Sequence, residues 1–249
     1  MGKGLDGAIL TAMGVKTHEI EVLSTTPLSQ RMTAVSFYSS TLLNVEGEAA
    51  GDWIRIWFPS EHRKGKSYQR AYTLLNVDPE KGMFDLHFVN HEPLGPASTW
   101  ASRCRVGERL EAMRYSGKIF SLNSPEPPGV VLVGDLASYP AITDIIATIP
   151  EHIPVMARLV ARDPFDYSIA LPTGKNIDAA WIEPLPGKDS FTSHLESLNL
   201  AGWQVWIGAE TSETQFIKSY MRKSNAVSKE QLYARGYWMK GGAMGKSRG

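Results

Sequence analysis

The 249-residue chain carries 26 Lys and Arg against 26 Asp and Glu, with 43% hydrophobic and 21% charged residues. A net charge of zero gives no whole-chain electrostatic basis for binding nucleic acid or a membrane, and no run reaches the ~18–20 apolar residues of a membrane span. Cys104 is the only cysteine, which rules out an internal disulfide and an all-cysteine metal cluster and fits a reducing cytoplasm.

Residues 1–15 (MGKGLDGAILTAMGV) read as an N-terminal extension without a signal-peptide core. Six short runs rich in β-branched and aromatic residues follow: 18–23 (HEIEVL), 32–38 (MTAVSFY), 53–58 (WIRIWF), 70–75 (RAYTLL), 83–89 (MFDLHFV) and 109–113 (RLEAM). WIRIWF alternates, with Ile54, Ile56 and Phe58 on one side and Trp53, Arg55 and Trp57 on the other. Turn formers separate the runs, so residues 16–125 are expected to form an antiparallel β-barrel domain.

The proline-rich stretch 123–129 (NSPEPPG) marks a change of pattern. VVLVG (130–134), PVMARLVA (154–161) and WQVWIG (203–208) are continuous apolar runs, as expected of strands buried on both faces. Helical patterns over 140–148, 191–198 and 212–221 alternate with them. Residues 126–249 are therefore expected to form a parallel α/β domain of the nucleotide-binding kind, ending in a flexible basic tail.

Four segments carry chemistry. Arg70-Ala71-Tyr72-Thr73 places a cation and an aromatic ring on one strand face and a hydroxyl on the other, and an Arg holds phosphate through paired hydrogen bonds. His91-Glu92-Pro93-Leu94-Gly95-Pro96-Ala97-Ser98-Thr99-Trp100 reads as a glycine turn opening a helix, whose free N–H groups and dipole favour an anion. Val133-Gly134-Asp135-Leu136-Ala137-Ser138 sits between a strand and a helix, where α/β sheets bind nucleotides, but lacks the G-x-G-x-x-G spacing. Glu210, after the third α/β strand, either contacts a ligand or begins the next helix.

In order along the chain these segments read R-x-Y-T, H-x-x-x-G-P-A-x-x-W-A, G-D-x-x-x-x-P-A-I, W-x-G-x-E and, around Tyr237-Trp238, G-Y-W-x-x-G. The ordered set resembles the siderophore-interacting protein family, ferric-siderophore reductases related to the ferredoxin–NADP reductase superfamily. The resemblance covers residues 16–242 and implies non-covalent FAD. It assigns Arg70, Tyr72 and Thr73 to the phosphate and flavin, with Phe88 and Val89 beside them. It gives the turn residues His91, Gly95, Pro96, Ala97, Ser98 and Thr99 to the pyrophosphate and adenosine side. Asp135, Ser138, Glu210, Tyr237 and Trp238 complete the cofactor contacts on the α/β side. Two positions depart from the pattern: Leu75 stands where family members commonly carry Arg, and Leu136-Ala137-Ser138 replaces Glu-Thr-Ala.

The function implied is reduction of a ferric siderophore, with NAD(P)H or reduced ferredoxin as electron donor, in the cytoplasm. The alternatives are a general NAD(P)H-dependent flavin or ferredoxin reductase and a non-catalytic siderophore-binding flavoprotein. Arg63, Lys64, Lys66, Lys118 and Lys240 are candidates for a basic pocket facing an anionic siderophore. His87 and His91 share a strand face but lack a third ligand, so no metal site is expected. Gly241 to Ser247 falls one residue short of a P-loop and lacks the strand–loop–helix context.

Overall fold

The computed structural model describes residues 16–43, 49–114, 120–185, 189–196, 198–224, 227–242 and 244–248. The expected N-terminal extension and Lys118 lie outside these residues. The chain divides into two compact units, Met1–Ile119 with Met244–Gly249, and Phe120–Ala243.

The first unit holds β1 (Thr17–Ser29), β2 (Met32–Tyr38), β3 (Trp53–Pro59), β4 (Ser67–Thr73), β5 (Leu75–Asp78), β6 (Met83–Val89), the short helix α1 (Pro96–Ala101) and β7 (Arg109–Arg114). The strands run in the order β4-β3-β7-β1-β2-β6-β5, with every neighbouring pair antiparallel. Alternation builds the core: Ile54, Ile56 and Phe58 of β3 are fully buried beside Phe84, Leu86 and Phe88 of β6, with Trp100 of α1 packed among them. The sheet curls into a half-barrel. At the β2–β6 side, Gly82 adopts φ +67° before β6, and a Cβ there would lie 2.5 Å from the Ser39 carbonyl oxygen, so only glycine fits.

The run expected as one strand over 70–75 is two. β4 starts earlier, at Ser67, and ends at Thr73, and β5 restarts at Leu75. Between them the Leu74 amide continues the β3–β4 register by one pair, donating to the Asp52 carbonyl (2.9 Å), and from Leu75 the chain pairs with β6 instead.

The second unit holds β8 (Val130–Asp135), α2 (Tyr139–Thr148), β9 (Val155–Val160), a 3-10 turn over Pro164–Ser168, β10 (Ile177–Ile182), α3 (Asp189–Leu195), β11 (Gln204–Glu210), α4 (Thr211–Ser224) and β12 (Leu232–Trp238). The sheet is parallel throughout, in the order β10-β9-β8-β11-β12. Every residue of β8 and β11 is buried, as their unbroken apolar runs require of central strands covered on both faces. Strand order reverses between β8 and β11, and the crevice outside their C-terminal ends is where such sheets take ligands.

The C-terminal segment does not follow the second unit. Ser247–Arg248 forms β13, paired antiparallel with β4 at Ser67 and Tyr68, and the Gln69 amide donates to the Lys246 carbonyl (2.8 Å). Where the sequence reads as a flexible tail, the segment is a strand of the first sheet, and Arg248 adds a contact over the Trp57 ring at 4.4 Å and an ion pair with Glu111.

Candidate functional site

The strand β4 carries the first group of residues. Its register with β3 pairs Tyr68 with Phe58, Arg70 with Ile56 and Tyr72 with Ile54, so these three side chains share the inward face of the sheet. Thr73 points the other way and is buried, as alternation predicts. Tyr72 lies on Phe88 with ring centroids 4.4 Å apart and meets Phe58 edge-on at 5.9 Å. Burial pushes the Tyr72 phenol well above its ordinary value, against the pull of Arg70.

Arg70 is half-buried. Its Nη1 donates to the neighbouring Gln69 carbonyl at 2.9 Å and reaches the Met244 carbonyl at 3.4 Å. Among the described residues no carboxylate pairs with it. Burial lowers its pKa from the ordinary arginine value, with only Tyr72 and Tyr68 opposing. A desolvated guanidinium without a counter-ion is the arrangement that an anionic ligand completes. Tyr68 was not anticipated, although its period-two spacing from Arg70 and Tyr72 marks it. The Lys66 ammonium sits over its ring at 5.6 Å, so cations and rings alternate along this face from 66 to 72.

The turn before α1 supplies donors. Ser98 Oγ accepts from the Gly95 amide (2.8 Å) and lies 3.4 Å from His91 Nε2, and Thr99 N closes the first helical turn on the Gly95 carbonyl (2.8 Å). Pro96 has no N–H, and the amides of Ala97 and Ser98 have no carbonyl to meet inside the helix. With six residues α1 has little macrodipole, so amides rather than the dipole are what it offers an anion. A Cβ on Gly95 would meet only His91 and Ser98 side-chain atoms at 3.7–3.8 Å, so internal packing does not demand glycine there. Phe88 is wholly in the core, touching Trp100 at 5.8 Å, while Val89 and Thr99 are partly buried and His91 is exposed. These residues fit the phosphates and ring of a flavin nucleotide: a cation without a counter-ion among the described residues, an aromatic support and a glycine turn with spare amides.

The second unit gathers a different set at the C-terminal ends of its strands. The buried Asp135 carboxylate accepts from the Ala137 amide (3.0 Å) and from the Trp238 indole N–H (2.7 Å), with Arg162 Nε at 3.5 Å. Burial raises its pKa above the usual carboxylate range, against Trp238 and Arg162. Ser138 is fully buried and spends its hydroxyl inside the turn, accepting from the Asp135 amide and donating to the Asp135 carbonyl, each at 3.1 Å. Tyr237 meets Trp206 edge-on at 5.7 Å.

Glu210 makes contacts of the helix kind. Its Oε2 accepts from the Ser212 hydroxyl (2.5 Å) and from the Ser212 and Glu213 amides (2.6 and 3.2 Å), and Oε1 accepts from the Lys240 amide (3.2 Å). It caps α4 and ties down the end of β12. Burial raises its pKa, but the Ser212 hydroxyl and these amides outweigh it, so the net shift is downward. Of the basic candidates, Arg63, Lys64 and Lys240 are exposed, and Lys66 is partly buried over Tyr68. Arg162 and Glu213, which pair with each other, were missed because no motif surrounds either residue.

Two family models match the chain: the siderophore-interacting FAD-binding domain over residues 61–118 and the siderophore-interacting protein domain over residues 127–241. The chain is 32% identical over its whole length to the mycobactin import ATP-binding/permease protein IrtA of Mycolicibacterium thermoresistibile, of which it spans 28%. It is thus similar to less than a third of that relative. Over 72% of the chain it is 22% identical to a ferric acinetobactin reductase of Acinetobacter baumannii, covering 63% of that protein. A siderophore utilization protein from T. fusca superposes with a TM-score of 0.79 at 21% identity, over 92% of this chain and 95% of the other. The architecture is ferredoxin reductase-like. No helix among the described residues is long and apolar enough to cross a membrane.

Proposed function

Because the chain belongs to the siderophore-interacting protein family, we propose that it is an FAD-dependent reductase that releases iron from a ferric siderophore in the cytoplasm. The observation that carries this reading is Arg70: a half-buried guanidinium without a carboxylate partner among the described residues, beside Tyr72 on the inward face of β4. The chemistry that bound FAD supplies is one-electron transfer to Fe(III). Iron(II) binds hard oxygen ligands more weakly than iron(III) and leaves the siderophore.

In this reading Arg70 holds a phosphate by paired charge-assisted hydrogen bonds. The Ala97 and Ser98 amides take further phosphate oxygens. Tyr72, braced by Phe88, supports the ring system and keeps water from one side of it. Thr73 contributes through its backbone, since its side chain is buried on the opposite face. Lys66, with Arg63 and Lys64 on the loop before β4, draws an anionic siderophore toward the same strand. No side chain is needed as acid or base. NAD(P)H or reduced ferredoxin is the donor.

The test is spectroscopic. Protein reconstituted with FAD should retain it through gel filtration, bleach on reduction, and regain its visible bands when a ferric siderophore is added under anaerobic conditions, with Fe(II) trapped by a chelator. A protein that cannot retain FAD overturns the reading. Retention without reoxidation by any of hydroxamate, catecholate or phenolate–oxazoline ferric siderophores favours a general flavin reductase.

A further inference from the structure

Arg162 connects the ends of four strands. It follows β9, lies 3.5 Å from the Asp135 carboxylate at the end of β8, and pairs through Nη2 with Glu213 in the first turn after β11. Its guanidinium carbon sits 5.3 Å from the centroid of the Trp238 ring at the end of β12. Reaching from β9 past β8 to groups beyond β11, the side chain crosses the crevice where strand order reverses. That crevice is where doubly wound sheets hold a dinucleotide, and an arginine near it is what accommodates the 2′-phosphate of NADP. Here the arginine already has carboxylates on two sides and a ring on a third.

Two glycines beside the crevice are closely packed by the protein itself. Gly134 and Gly208 pair across β8 and β11, the kind of bare backbone a phosphate approaches. Yet a Cβ on Gly134 would lie 2.1 Å from Ser138 Oγ, and one on Gly208 would lie 2.5 Å from the Trp206 ring and 2.8 Å from Tyr237. Two donors of the turn after β8 are also engaged: the Ala137 amide goes to the Asp135 carboxylate and the Ser138 amide to the Asp135 carbonyl. Pro140, in the first turn of α2, has none. Asp135 and Glu213 against the one guanidinium leave the cluster negative in formal charge, which repels an anion.

We propose that the Arg162–Glu213 pair is a latch across this crevice and that Glu213, by holding Arg162, denies the protein a preference for NADPH over NADH. The proposal rests on reading this unit as the donor side of the reductase. It is tested by binding rather than turnover, on the full chain carrying FAD, with adenosine 2′,5′-bisphosphate and AMP as calorimetric probes. In the unsubstituted protein the two dissociation constants should agree within about threefold. Glu213→Gln keeps the shape and removes the charge that engages Arg162. It should tighten the bisphosphate by roughly tenfold, as one charge-assisted phosphate contact predicts, and leave AMP nearly unchanged. Adding Arg162→Ala should cancel that gain. A preference of tenfold or more for the bisphosphate in the unsubstituted protein overturns the proposal. So does a ratio unmoved by Glu213→Gln in a variant with unchanged thermal unfolding, including the case in which neither probe binds. Flavin absorbance on the same samples reports the FAD reading separately, so failure of one is distinguishable from failure of the other.

Discussion

Tyr72 and Phe88 lie with their ring centroids 4.4 Å apart and their planes inclined by 37°, although four strands separate β4 from β6 in the ladder. The contact exists because the sheet curls. It makes one aromatic wall from the strand that carries Arg70 and the strand that leads into the Gly95 turn.

Tyr72 should therefore matter to the fold as well as to the flavin. Tyr72→Ala is expected to destabilise the apoprotein by about 2–4 kcal/mol through lost packing on Phe58 and Phe88, and Tyr72→Phe by less than about 1 kcal/mol. Urea unfolding of the apoproteins measures both. A visible flavin spectrum that is the same in Tyr72→Phe and the unsubstituted protein, but shifted in a folded Tyr72→Leu, would locate the ring beside the flavin.

Arg70 separates binding from stability. No carboxylate among the described residues loses its partner when Arg70 is removed, so the Arg70→Ala apoprotein should melt close to the unsubstituted one. FAD affinity should fall by about 1.5–3 kcal/mol, roughly 10- to 150-fold in Kd, and Arg70→Lys should recover part of it. Fluorescence titration of the apoprotein with FAD decides this. Unchanged affinity in a folded variant removes Arg70 from the site.

Two buried carboxylates predict opposite pH dependences. Hydrogen bonds hold Glu210 below the usual carboxylate range, so its contribution is present above that range and is lost as pH falls through its folded-state pKa. Burial holds Asp135 above the usual range, so its contribution is present at acid pH and is lost as pH rises through its folded-state pKa. Stability curves against pH should lose part of their acid-side slope in Glu210→Gln and of their rise-through loss in Asp135→Asn. Glu210→Ala should also cost about 0.5–2 kcal/mol as a lost helix cap, with FAD affinity unmoved.

Gly245 is the position on which the terminal segment depends. Its φ is +117°, and a Cβ there would lie 2.0 Å from the Gln69 carbonyl oxygen, a backbone atom that cannot turn aside. Gly245→Ala is expected to detach β13. Hydrogen exchange at the Gln69 amide, which donates to Lys246, should accelerate by at least about tenfold, while amides between β1 and β2 stay protected.

The parts of this architecture that follow a strict period were legible in the chain. WIRIWF declared its two faces, and the same parity put Arg70 with Tyr72 and against Thr73. VVLVG announced a central strand because burial on both faces leaves no room for polar alternation. β10 and β12 were not read as strands. Ile177–Ile182 contains an aspartate and two alanines on an edge strand, and Leu232–Trp238 is broken by Arg235 and Gly236. Their strand character comes from parallel pairing with β9 and β11, which local sequence does not encode. Glu210 was ambiguous for a related reason: a carboxylate at a strand end serves a ligand or a helix cap equally well until the amides of Ser212 and Glu213 turn toward it. Arg162 carried no local signal, because its partners lie at positions 135, 213 and 238 and only the sheet order brings them together.

The placement of β13 has a further consequence for how the molecule behaves in company. Without it, β4 would present an open row of backbone donors and acceptors on the strand that bears Arg70, a template on which a second chain could add itself. Ser247 and Arg248 occupy the start of that row, at Tyr68 and Ser67, with the chain's own backbone, and the Arg248 side chain is held over Trp57 and paired with Glu111. The residues that read as a tail in the sequence thus cover part of the open edge of the strand on which the proposed chemistry rests.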